Sequence, residues 1–143
     1  MNISVTGPRS GEIDSMRQAY TMLAVKHFAK QLGIHRLKMN IHVRLHDGVT
    51  LSFADAKDCE GLCEPVSKRY FIIDVASWGD WITTLAHEMV HVRQFAKGEL
   101  NSTMSQWKSK KYCDNVEYWD QPWEKEARRL QHKLAISFSK EQW

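Results

Sequence analysis

Leu37-Lys38-Met39-Asn40-Ile41-His42-Val43-Arg44-Leu45 is the stretch on which the fold turns. Apolar Leu37, Met39, Ile41, Val43 and Leu45 alternate with polar Lys38, Asn40, His42 and Arg44. Successive side chains of a strand point to opposite faces, so this period of two marks a half-buried β-strand. Upstream, Ile13, Met16, Tyr20, Leu23, Phe28 and Leu32 fall near helical spacing and predict a helix over 12–32, with Gly33 just past its end. Downstream, Asp47-Gly48 reads as a hairpin turn that returns the chain through Val49, Leu51 and Phe53. A polar loop over 55–65 leads to a second apolar strand over 69–76, built from Tyr70, Phe71, Ile72, Ile73 and Val75. Ser77 then stands where it can cap a helix running to Lys97 and ending at Gly98. The stretch 101–120 is polar and poorly periodic, and Pro122 opens a last helix that continues to Phe138. The order helix, three strands, helix, helix predicts an α+β fold: a small antiparallel or mixed sheet of three strands covered by helices.

A chain of 143 residues suits one domain over 1–143 and can bury a core without disulfides. Its 43% hydrophobic and 26% charged residues are ordinary for a globular protein. A net charge of +3 is weak evidence for a nucleic-acid partner, and the cluster Lys108, Lys110 and Lys111 reads as a solvated loop. The start, with Gly7-Pro8 and Arg9, lacks the apolar run of an export signal. Phe71-Ile72-Ile73 is too short to span a bilayer, so no membrane role is expected. Three cysteines cannot all pair, and Cys59, Cys63 and Cys113 are expected as reduced thiols, a Cys59–Cys63 link being the lesser alternative. These features together suit a reducing cytoplasm.

The chemistry lies in His87-Glu88-Met89-Val90-His91. At 3.6 residues per turn, histidines four apart sit about 40° apart on one helix face, so both imidazoles can reach one ion. Glu88 points to the side, where a carboxylate can take a proton from a metal-held water, whose pKa zinc lowers to roughly 7. The motif is embedded in Trp81, Ile82, Leu85, Ala86, Met89, Val90 and Val92, which predicts a buried helix. Buried histidines need partners, and a shared ion satisfies two at once.

A catalytic zinc site keeps three protein ligands and one open position. A third histidine six after His91 is absent, because that position is Lys97. Glu124, in the first turn of the last helix, is the best candidate, with Glu126 beside it and Ala127 small enough to let the two helices approach.

The run Thr84-Leu85-Ala86-His87-Glu88-Met89-Val90-His91-Val92-Arg93-Gln94, followed by Pro122-Trp123-Glu124-Lys125-Glu126-Ala127, resembles the gluzincin group of zinc metallopeptidases. In particular it is similar to their minimal single-domain members, related in layout to SprT-like proteins. The resemblance implies a zincin-like fold, one catalytic zinc on His87, His91 and Glu124, and Glu88 as general base. It selects Glu124 over Glu126 because alanine commonly stands three after the ligand, as Ala127 does here. It implies a protein or peptide substrate paired to an edge strand, for which 69–75 is the natural choice by position, and Tyr118 or Tyr112 as oxyanion donor. Arg128 departs from the acidic residue or asparagine common four after the third ligand, so the partner that orients a zinc histidine is unassigned. His132 keeps open the third-histidine pattern of SprT-like proteases, which act on DNA-associated proteins. A third alternative is a zinc-stabilised binding module that cleaves nothing.

Overall fold

The computed structural model describes residues 1–7, 11–51, 59–112 and 116–142, with 11–14 described by backbone alone. In chain order the elements are β1 (Asn2–Thr6), α1 (Gly11–Gln31), β2 (Asn40–His46), β3 (Gly61–Ser67), β4 (Tyr70–Ala76), α2 (Trp81–Ala96), β5 (Gln106–Trp107), β6 (Lys110–Lys111), a 3-10 turn (Tyr118–Asp120) and α3 (Pro122–Gln142). The fold is α+β, with a mixed four-stranded sheet in the order β1-β2-β4-β3.

The alternating stretch forms β2 as its pattern dictates: Ile41, Val43 and Leu45 are buried, and Asn40, His42 and Arg44 line the other face. Its pairing differs from the expectation. Asp47-Gly48 makes no hairpin, because both flanks of β2 are taken by parallel partners, β1 and β4. Gly48, at φ 109°, turns the chain, and its carbonyl accepts from Trp78 N–H at 3.0 Å. The predicted return strand is not formed at Val49 or Leu51, and Phe53 lies outside the described residues.

The hairpin lies between β3 and β4, where the sequence suggested a polar loop over 55–65. Pro65, Glu60 and Glu64 disguise β3, yet an edge strand tolerates proline because one side of its backbone needs no ladder partner. β4 is therefore interior, between β2 and β3, and the expectation that 69–75 supplies a free edge is corrected: the edge strands are β1 and β3. Nor does the sequence announce the fourth strand, β1. It offers only Ile3 and Val5 as an apolar alternation, and α1 carries the chain from it to its parallel neighbour β2.

Ile41, Val43, Phe71, Ile73 and Val75 face Phe28, Leu85, Met89 and Val92 in one hydrophobic core. Trp81 Nε1 donates to the hydroxyl of buried Thr21, tying the start of α2 to α1. Asp80, not Ser77, caps α2, accepting from Thr83 N–H at 3.2 Å. Ser77 is buried before the turn at Gly79 (φ 87°) and donates its hydroxyl to the His46 carbonyl. Gly98, at φ 72°, ends the helix as expected, with Glu99 N–H reaching back to the Gln94 carbonyl at 2.9 Å.

On the opposite sheet face, Arg44 grips Asp74 with Nε to Oδ1 at 2.7 Å and a terminal nitrogen to Oδ2 at 2.9 Å. His46 Nε2 adds a 2.7 Å bond to the same carboxylate. Cys59 and Cys63 are free thiols. Cys113 lies outside the described residues. No helix among the described residues is long and apolar enough to cross a membrane.

Candidate metal centre

Two helices build the site. Leu85, Ala86, Met89, Val90 and Val92 anchor α2 in the core, which leaves His87 and His91 on the face toward α3. α3 begins at Pro122, whose missing N–H costs nothing in a first turn, and buried Trp123 and Ala127 seat that turn against the core. Glu124 is thereby carried to the two histidines. His87 Nε2 lies 2.9 Å from Glu124 Oε2, and His91 Nε2 lies 3.0 Å from Oε1. Among the described residues, His87, His91 and Glu124 form the one group of three side chains whose ligand atoms all lie within 4.8 Å of one another.

Each ring is held from behind. His87 Nδ1 donates to Gln131 Oε1 at 2.6 Å, and His91 Nδ1 to Gln94 Oε1 at 2.8 Å. With both Nδ1 atoms occupied, both Nε2 atoms face the carboxylate. Two imidazole nitrogens and one carboxylate are a donor set suited to zinc, and this convergence fits one ion. The unassigned orienting partners are thus Gln131, seven after Glu124 and two turns along the same face, and Gln94, three after His91. Helical spacing marks both, but a neutral amide carries no charge pattern that would single it out.

The electrostatics follow from this crowding. Burial opposes charge on His91, but the bond to Glu124 and the charge of Glu88 outweigh it and raise its pKa to about 9. His87 is raised for the same reasons. Burial likewise opposes charge on Glu124, yet the two rings hold its carboxyl well below the ordinary range. Glu88, 6% exposed, is pushed up by burial, and the nearby histidines only partly offset that. A shift in this direction makes Glu88 a stronger base than an exposed carboxylate.

Glu88 stands beside β3. Gly61 approaches so closely that a methyl group there would lie 3.4 Å from Glu88 Oε1. Tyr118, 48% exposed in the 3-10 turn, is the candidate oxyanion donor brought to the cluster. Burial, then the charge and hydrogen bonding of Glu124, hold its hydroxyl proton well above the ordinary range. Arg128 secures this turn: it donates to the Trp119 carbonyl at 2.7 Å and stacks over the Trp119 ring at 4.6 Å. Tyr112 is instead held edge-on against Trp123, with ring centroids 5.7 Å apart. His132 is exposed, its Nε2 at 3.3 Å from Gln131 Nε2, and it does not join the three-residue group. Lys108, Lys110 and Lys111 lie exposed on the β5–β6 hairpin.

The fold and site define an α+β domain with a candidate metal centre between two helices. Compared with known proteins, the chain matches no family model, no curated protein and no solved structure.

Proposed function

We propose that this chain is a zinc-dependent peptidase of zincin-like type, in which His87, His91 and Glu124 hold the metal and Glu88 is the general base. The observation that carries the reading is the convergence of two Nε2 atoms on the two oxygens of Glu124, with a buried carboxylate next in sequence to one of them. Zinc bound there would supply Lewis acidity and an acidified water. Glu88 would take a proton from that water and return it to the leaving amine, and the Tyr118 hydroxyl would donate to the developing oxyanion.

The edge strand supports an extended peptide as substrate. Ala76 N–H donates to the Glu60 carbonyl, so Glu60, Leu62 and Glu64 spend their backbone groups on β4. Gly61 and Cys63, in alternate register, turn theirs outward, and no described residue takes them. Those groups lie on the strand that borders Glu88, where a substrate backbone can pair.

The test is metal content by elemental mass spectrometry beside turnover of a peptide library. Wild type should carry near-stoichiometric zinc, lost in Glu124→Ala and kept in His132→Ala. Glu88→Gln should keep zinc and lose turnover. Zinc lost with His132→Ala would move the protein to the SprT-like reading. Zinc without turnover in wild type would favour the binding module, and no zinc at all would end the metal reading.

A further inference from the structure

Gln94 is fully buried one turn beyond His91, and every polar atom of its side chain is engaged. Its Oε1 faces His91 Nδ1 at 2.8 Å. Its Nε2 faces the Trp123 carbonyl at 3.0 Å and Glu126 Oε1 at 3.1 Å. A main-chain carbonyl and a carboxylate only accept hydrogen bonds. The two amide hydrogens therefore point at them, and the amide has one orientation. Reversed, it would set an oxygen against two acceptors, and the fully buried amide would be left unpaired at a cost of about 1–3 kcal/mol for each buried group.

With Oε1 fixed toward His91, the hydrogen between them must sit on Nδ1. When the ring is neutral, as a metal ligand must be, its lone pair is then confined to Nε2, the atom that faces Glu124. The backbone of Gln94 is pinned as well, its carbonyl accepting from Glu99 N–H at 2.9 Å and Leu100 N–H at 3.2 Å. His87 is held differently. Its partner Gln131 is half-buried, and among the described residues its amide nitrogen meets His132 Nε2 at 3.3 Å.

We propose that Glu126, Gln94 and His91 form a positioning relay, in which Glu126 and the Trp123 carbonyl orient Gln94, and Gln94 fixes His91 to present Nε2. Neither Gln94 nor Glu126 touches the reacting atoms. The relay also joins α2 to the turn of α3 that carries Glu124, so one amide sets the geometry of two ligands. Glu126 thereby has a role distinct from that of a metal ligand. The orientation of His91 stands on this geometry alone, while the effect on metal rests on the zinc reading above.

The test combines histidine-selective nitrogen NMR, on metal-free and zinc-loaded protein, with zinc affinity by chelator competition. Wild type should show a slowly exchanging His91 Nδ1 proton with and without zinc, and coordination through Nε2 when zinc is added. Gln94→Met should lose that protection and bind zinc about 10–100-fold more weakly. Glu126→Gln, which keeps an acceptor, should remain near wild type. Glu126→Ala should weaken zinc binding, and should add little further loss in the Gln94→Met background. If Gln94→Met does not fold, the two Glu126 variants carry the comparison. Coordination through Nδ1, an unprotonated Nδ1, unchanged affinity in Gln94→Met, or fully additive losses would overturn the relay. Wild type that takes no zinc would end the metal reading, and the metal-free spectrum would still decide the relay.

Discussion

Replacing Gly61 by alanine adds one methyl group between β3 and α2. That carbon would stand 2.6 Å from Thr84 Cγ2 and 3.2 Å from Glu88 Cγ. The first distance is far inside contact, and the obstructing atom belongs to a β-branched side chain on a core-anchored helix. Thr84 cannot swing away cheaply, so β3 must retreat or α2 must shift. Overfilled contacts of this kind cost about 1–3 kcal/mol. The loss of a glycine from the unfolded chain offsets about 0.4–1 kcal/mol of that. The net expectation is a destabilisation of about 1–2 kcal/mol, which for a chain of this size lowers Tm by roughly 3–8 °C. The second contact bears on Glu88: a displacement of about 1 Å at a catalytic base can cost on the order of 100-fold in kcat. Thermal unfolding followed by circular dichroism, with turnover measured at a temperature where both proteins are folded, reads both effects. Thr84→Ser removes the obstructing carbon and should restore most of the lost stability in the double variant. If Gly61→Ala melts with wild type, or Thr84→Ser rescues nothing, the close approach of β3 to the helix is wrong.

Asp74→Asn should cost about 2–3 kcal/mol, because a buried carboxylate held by Arg44 and His46 gives up charged hydrogen bonds; urea unfolding would measure it. Burial pushes the Asp74 carboxyl up, but its bonds to Arg44 and His46 prevail and hold it below the ordinary value of 3.8. Its contribution is therefore complete above that unfolded value and is lost as pH falls through the lower folded one, so the gap between wild type and Asp74→Asn should close in acid. Tyr118→Phe should keep zinc and lower kcat by roughly 100-fold with little change in KM, as for loss of one oxyanion donor. Loss of zinc in that variant would instead make the hydroxyl a support for Glu124.

What the sequence displays is what local spacing controls. The period of β2 and the burial of α2 follow from side-chain pattern alone, and the placing of His87, Glu88 and His91 follows from helix geometry. Pro122 and Gly98 mark helix ends because their backbone chemistry leaves few other places for them. Apart from the helix cap, where Asp80 takes the place expected of Ser77, the differences concern partners distant in sequence. Asp47-Gly48 promises a hairpin to any local reading, but whether β2 accepts one depends on β1 and β4 already filling its flanks. β3 hides because edge position, which excuses Pro65, is a property of the assembled sheet. Glu124 is legible from the start of its helix, yet Gln94 and Gln131 acquire meaning only when α3 lies against α2.

The edge strand carries a second consequence, for the behaviour of many copies together. Unpaired backbone on a sheet edge is a template for any extended chain, including another molecule of the same protein. Here the exposed ladder is short. At one end Leu51 N–H already occupies the Cys59 carbonyl at 2.7 Å, and at the other Pro65 has no hydrogen to give. The register then slips between Pro65 and Ser67, which breaks the spacing a second strand would need to continue. Gly61 to Cys63 is long enough to align a single peptide bond and too short for neighbouring molecules to zip together, so β3 can stay open without seeding aggregation.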